Sequence, residues 1–142
     1  GGESIAIEAA LIAAEGSVIA VEYSRADRST LEDNVAHFDL HNIKIIDHVD
    51  EKNMADCPVP SLVFLVASAS TNQELAYLTK INPNINAVIY TLDFKTAATL
   101  PDTLRSLGLV DIDTIQVSVT KLGSNNTFKS APAPWIITAR SR

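Results

Sequence analysis

The chain of 142 residues contains one cysteine, Cys57, so no internal disulfide can form. A disulfide-stapled secreted scaffold is excluded, and the lone thiol reads as a small inert hydrophobe. Basic residues are also scarce. Eleven Lys and Arg stand against 17 Asp and Glu, the net charge is -6, and no Lys/Arg cluster forms a patch. Such a surface repels nucleic acid and anionic lipid. Five glycines and six prolines are too few for a collagen or a low-complexity chain. No apolar run exceeds six residues, the length of Leu62–Ala67, whereas a membrane helix needs about 18. The opening Gly1-Gly2-Glu3 lacks the basic stretch of a secretory leader. With the cysteine usage, this sets the expectation of a cytoplasmic protein.

What is present suits a packed core: 46% of residues are hydrophobic and 20% charged. A chain of this length buries roughly two thirds of its unfolded surface and needs no staple. Short β-branched runs alternate with helical periodicities. Val18–Val21, Lys44–Ile46, Leu62–Val66 and Ala87–Tyr90 read as buried strands. Thr114–Thr120 alternates polar with apolar, as a strand does at an edge or with one wet face, and Trp135–Ala139 is the last strand.

Helices fill the gaps. Ser4–Ala14 is apolar on most sides. Arg25–Phe38 carries Leu31, Val35 and Phe38 as an amphipathic stripe. Thr71-Asn72-Gln73-Glu74 has the form of a capping box ahead of Leu75 and Leu78. Lys95–Leu107 sets Leu100, Leu104 and Leu107 on one face, Gly108 suits its C-terminal cap, and Pro101 kinks or restarts it.

This alternation predicts an α/β fold with a mostly parallel sheet covered on both faces. Only Lys121–Pro134 separates the last two strands, too little for a helical crossover, so a hairpin makes one of them antiparallel. Sheets of this kind begin with a strand feeding a Gly-rich turn. Here the chain opens at Gly1-Gly2 and the helix, so the expectation is one domain, residues 1–142, whose first strand lies ahead of Gly1.

Several stretches carry a resemblance. Residues 2–10 (GESIAIEAA) are similar to the GSVSIEAA stretch of the decarboxylating precorrin methyltransferases of cobalamin biosynthesis, the CbiT type. Glu15–Glu22 (EGSVIAVE) resembles that family's EGxVYAVE, and Val63-Phe64 stands where the family has VFIGG. Thr91-Leu92-Asp93 resembles its TLE, and Gln116–Thr120 its QVSVSR. Thr127-Phe128-Lys129 followed by Pro134–Thr138 resembles TMFKAxNPVWIIT. The resemblance implies a class I S-adenosylmethionine-dependent methyltransferase fold, a seven-stranded Rossmann-like sheet ending in an antiparallel hairpin. It further implies methyl transfer to carbon 15 of a precorrin tetrapyrrole, with loss of carbon dioxide from the acetate side chain on carbon 12. S-adenosyl-L-methionine is the implied cofactor and a homo-oligomer, a tetramer, the implied assembly.

The same resemblance nominates site residues. Glu22 closes its strand where a carboxylate can accept both hydroxyl protons of a ribose. Gly1 and Gly2 let the backbone approach the cofactor. Val49 and Asp50 occupy the place of the family's adenine contact, with the acid displaced by one residue. Ala67, Ser68 and Ala69 lie where the family has GGSGG beside the transferred methyl group; Ser68 keeps the central serine, while the flanking glycines have gained side chains that narrow the crevice. Arg25, Arg28, Lys95, Lys121 and Lys129 could form a basic rim for a substrate with several carboxylates, or be ordinary surface charge.

The reaction needs no nucleophilic side chain, because a sulfonium methyl is already activated and alignment and water exclusion supply most of the gain. No catalytic residue is therefore nominated. His37 and His41 are four apart but have no third ligand at matching spacing, so no metal is expected. The alternative reading is a catalytically idle Rossmann-like module that holds a nucleotide.

Overall fold

The computed structural model describes residues 16–37, 39–118, 120–122, 128–130 and 133–142. Four strands, β1 (Val18–Val21), β2 (Ile43–Ile46), β3 (Leu62–Val66) and β4 (Asn86–Thr91), alternate with four helices, α1 (Arg25–His37), α2 (Glu51–Met54), α3 (Thr71–Ile81) and α4 (Phe94–Ser106). β5 (Val110–Gln116), β6 (Thr120–Leu122), β7 (Phe128–Ser130) and β8 (Trp135–Arg140) follow. The main sheet has the order β2-β1-β3-β4-β8-β5, and β6 and β7 form a separate ribbon. β2, β1, β3 and β4 pair in parallel, while β8 lies antiparallel on both β4 and β5. The α/β sheet with an antiparallel C-terminal end is thus as the alternation of strands and helices predicts. The described sheet holds six strands, and β1 pairs directly with β3 from Val18↔Leu62 to Val21↔Leu65.

The strands are continuous apolar runs because they bury both faces. On one face Ile19, Val21, Val63, Leu65, Ala87 and Ile89 pack with Leu75 and Leu78 of α3 and with Ala97, Leu100 and Leu104 of α4. On the other, Ala20 and Phe64 meet Leu31 of α1, with Val35, Val66, Val88 and Tyr90 partly buried beside them. Each fully buried Leu, Ile or Val contributes about 1.5–3 kcal/mol.

The helix ends follow from local chemistry. The Asp93 carboxylate caps α4 by accepting from the Thr96 N–H at 2.9 Å and the Thr96 hydroxyl at 2.7 Å. At the other end Gly108 has φ 88°, a conformation that a Cβ would strain. Its N–H donates to the Arg105 carbonyl, and the Leu109 N–H to the Leu104 carbonyl, a Schellman closure. Pro101 lies inside α4. The helix is not restarted there, and the proline merely lacks an N–H for the Ala97 carbonyl.

Some expectations need correction. The strand expected over 114–120 runs from Val110 to Gln116. Its first half carries Asp111 and Asp113, poor strand formers that mask the pattern. β5 is indeed an edge strand, and its register slips between Val110 and Asp113, where Asp111 has φ 51° and pairs with Arg140. The β6–β7 ribbon and the one-turn α2 carry too little periodicity to be read in advance. The capping box does not form: Ser70 is the N-cap and makes no side-chain cap bond, and Glu74 turns away from its own helix terminus. The helix expected over 4–14 lies outside the described residues.

Candidate functional site

In a doubly wound sheet, ligands bind beyond the carboxyl ends of the strands where the strand order reverses. Here β1 leads through α1 to β2 on one side, and β3 leads through α3 to β4 on the other, so the reversal lies between β1 and β3. Register brings the ends level. Val21 pairs with Ile46 and with Leu65, and Val66 with Tyr90. Glu22 and Asp47 are therefore level with Val66 and Tyr90, and Ala67 and Thr91 lie one residue further along the same edge.

Glu22 is buried, at 6% exposure, although it carries a charge. Its N–H extends the ladder to the Ile46 carbonyl at 3.0 Å, and its Oε1 accepts from the Ser24 N–H at 2.9 Å. The Arg28 guanidinium donates to the Glu22 carbonyl at 3.1 Å and to the Tyr23 carbonyl at 3.4 Å. The carboxylate is held in place by its own turn. With two oxygens and about four acceptor positions, it suits a pair of vicinal hydroxyls.

The loop after β2 is equally fixed. Asp47 Oδ1 accepts from the His48 N–H at 2.9 Å and from Asn53 Nδ2 at 3.0 Å, and the same amide donates to the His48 carbonyl at 2.7 Å. Slight burial pushes the Asp47 carboxyl up, but the hydrogen bonds from His48 and Asn53 outweigh it and hold it below its ordinary value. Asp50 Oδ1 caps α2 by accepting from the Asn53 N–H at 2.7 Å. The Val49 N–H donates to Glu74 Oε2 at 2.7 Å, across from α3. Glu74 is only 3% exposed. Burial raises its carboxyl above the ordinary value; the Val49 bond and nearby His48 act against this, and Asp47 and Asp50 with it. These groups line an open cavity of about 320 Å³ bounded by His48, Val49, Asp50, Ser70, Gln73 and Glu74.

The loop after β3 closes on itself. The Ala67 N–H bonds the Tyr90 carbonyl at 2.8 Å, the Ser68 N–H bonds Thr71 Oγ1 at 2.8 Å, and Ser68 Oγ accepts from the Ser70 N–H at 3.1 Å. None of Ala67, Ser68, Ala69 and Ser70 has positive φ, so this turn needs no glycine. Ala67 packs on the core, whereas Ala69 is exposed.

Further along the same edge the character changes. Leu92 and Phe94 are 54% and 69% exposed, and the Phe94 ring meets Trp135 edge-on with centroids 5.8 Å apart at 66°.

A family model described as "Precorrin methyltransferase domain" matches residues 1–138. The chain belongs to that family. Methyltransferases of this kind draw the methyl group from S-adenosylmethionine. Solved structures agree on the fold. A precorrin-6y C5,15-methyltransferase from Geobacter metallireducens superposes with a TM-score of 0.73 at 22% identity, covering 100% of this chain and 76% of that one. A precorrin 8W decarboxylase from Methanobacterium thermoautotrophicum gives 0.61 at 17% identity, covering 87% and 69%. The C-terminal domain of a precorrin-6Y C5,15-methyltransferase from Rhodobacter capsulatus gives 0.59 at 14%, covering 89% and 68%. No curated protein sequence matches the chain.

The fold thus brings Glu22, Val49, Asp50 and Ser68 to one edge of the sheet. Gly1 and Gly2 lie outside the described residues. Glu74 escaped the sequence reading because its spacing from Thr71 suggested a capping box. The Phe94–Trp135 pair escaped it because 41 residues separate two rings that only the β4–β8 pairing brings together. Among the described residues no three His, Cys, Asp or Glu side chains could hold a metal ion, and no helix is long and apolar enough to cross a membrane.

Proposed function

We propose that the chain is a decarboxylating precorrin C15 methyltransferase of cobalamin biosynthesis, working in the cytoplasm. The buried Glu22 carboxylate at the switch point, in a chain of the precorrin methyltransferase family, carries this reading. S-adenosylmethionine, when bound, supplies an electrophilic methyl group. The chain's residues bind, orient and exclude water. Glu22 accepts the two ribose hydroxyls. Val49 and Asp50 flank the adenine with their backbone, since the Asp50 side chain is committed to capping α2. Gly1 and Gly2 are assigned to the cofactor by the resemblance alone, and Ala67, Ser68 and Ala69 wall the place where substrate meets the methyl.

With S-adenosylmethionine bound, its methyl would pass to carbon 15 as the C–S bond breaks, S-adenosylhomocysteine would leave, and the proton released from the ring would balance the one that replaces the carbon dioxide lost from the acetate on carbon 12. Alignment supplies most of the acceleration, so no side chain need act as a nucleophile. We further infer assembly into a homo-oligomer, a tetramer, through the exposed edge of β5, where Ile115 is half exposed. Sedimentation should find a species several times 15.3 kDa; a monomer alone at working concentration contradicts that.

The test is to incubate the protein with a C15-unsubstituted precorrin and S-adenosylmethionine and follow the product by mass spectrometry. One methyl gained and one carbon dioxide lost is the expected result. Saturable S-adenosylhomocysteine binding without any methylation would favour the idle nucleotide-binding module instead.

A further inference from the structure

Of the large hydrophobic side chains that stand exposed among the described residues, Tyr23, Leu92 and Phe94 all follow the carboxyl ends of parallel strands. Phe94 is the most exposed of these, and it is the first residue of α4. It is held out by its neighbours: the Asp93 cap fixes the turn before it, and Thr91, buried, pairs with Trp135 of β8 as the last register position of β4. Trp135 packs one side on the core and offers an edge contact to Phe94. Leu92, exposed, lies between Thr91 and Asp93. The result is an apolar step at the ends of β4 and β8, with nothing in the fold that requires it.

Its position is informative. β1, β3, β4 and β8 are successive neighbours, and strands are spaced about 4.8 Å apart, so the step lies about 14 Å along the edge from Glu22. A cofactor anchored by its ribose at Glu22 would direct its far end toward this step. An exposed aromatic ring such as Phe94 can take another flat π-system in a stacked or edge-on contact. Charge complements it. Lys95 is exposed beside Phe94, and the β6–β7 ribbon leaves the same edge, between Gln116 of β5 and Trp135 of β8. Lys121 and Lys129 occupy one register position of that ribbon. An apolar step with the exposed Lys95 at its rim fits a broad ring that carries carboxylates.

We propose that Phe94 and Trp135, with Leu92, form the wall on which the face of the tetrapyrrole substrate packs. This rests on the precorrin reading above and assigns the substrate's place to residues that reading does not use. Phe94 is the determinant open to mutation, since its exposure means that truncation leaves the core intact.

Trp135 is the only tryptophan, so its fluorescence follows ligand arrival in the intact protein. Uroporphyrin, a tetrapyrrole with a carboxylate rim, serves as the probe, and calorimetry with S-adenosylhomocysteine runs in parallel. The expected result is saturable quenching by uroporphyrin that weakens about tenfold in Phe94→Ala, while S-adenosylhomocysteine affinity and melting temperature stay unchanged. Phe94→Tyr, which keeps the ring, should retain the affinity. Equal uroporphyrin affinity in wild type and Phe94→Ala overturns the wall. So does dissociation of an oligomer by Phe94→Ala with no change in probe affinity, which would make the step a contact between copies. Absence of S-adenosylhomocysteine binding in the wild type overturns the underlying methyltransferase reading as well, and so is distinguished from failure of the wall alone.

Discussion

The carboxyl edge of the sheet has two unlike halves. Around the ends of β1, β2 and β3 it is polar and closed on itself. Glu22, Asp47, Asp50 and Glu74 each accept a backbone N–H, and Ser68 and Thr71 lock the next turn. Around the ends of β4 and β8 it is apolar and uncovered, with Leu92 and Phe94 in solvent. Both halves stand on neighbouring strands of one sheet, so core packing does not explain the contrast. Preorganised carboxylates suit a small hydroxylated ligand whose donors are fixed; an open apolar step suits a larger ligand that brings its own polar rim. On the proposal made above, the difference is that between a cofactor site and a substrate site.

Mutation can break this contrast at several points. The largest effect is expected at Glu22. Glu22→Gln keeps an oxygen for the Ser24 N–H but loses the charge, and hydrogen bonds to charged groups are worth about 1.5–3 kcal/mol. S-adenosylhomocysteine affinity should fall roughly ten- to hundredfold in calorimetry, with uroporphyrin affinity preserved. Glu74 comes next. Glu74→Leu leaves the Val49 N–H unpaired and should cost about 1–3 kcal/mol in urea unfolding.

Glu74→Gln keeps that bond and exposes the role of ionisation. The Glu74 carboxyl is held above its ordinary value of 4.5, first by burial. Its contribution to stability is therefore complete below 4.5 and is lost as pH rises through the raised value. The wild type should lose stability relative to Glu74→Gln across that window, and the gap should persist at neutral pH. Parallel curves for the two proteins would contradict this.

Smaller effects are expected elsewhere. Ala69→Gly should cost about 0.4–1 kcal/mol, because the turn has negative φ and glycine only loosens the unfolded chain; turnover of a precorrin should rise as the crevice widens. Smallest is Asp93→Ala at the apolar half. The Thr96 hydroxyl and then the Thr96 N–H hold the Asp93 carboxyl below its ordinary 3.8. The cap is complete above 3.8 and fades as pH falls through the lowered value. The variant should melt below the wild type at neutral pH and approach it in acid.

The parallel strands could be read in advance because each is a short apolar run bounded by polar turns, and Glu22 because it ends one of them. Gly108 was legible for a similar reason: only a glycine adopts φ 88° there without strain. What stayed hidden depends on contacts distant in sequence. Glu74 follows Thr71 at cap spacing, yet its carboxylate crosses 25 residues to Val49. Phe94 reads as the start of a helix, and Trp135 as sheet packing, until β8 is placed beside β4. The Ala67–Ser70 turn looked crowded for want of glycine, but its hydrogen bonds need no positive φ.

The division of the edge into two sites is tested most directly by titrating uroporphyrin into protein already saturated with S-adenosylhomocysteine, with Trp135 fluorescence and calorimetry read together. The account predicts a ternary complex, in which the porphyrin binds one site per chain and S-adenosylhomocysteine stays bound. Displacement of S-adenosylhomocysteine by the porphyrin, or failure of either ligand to bind, would contradict it.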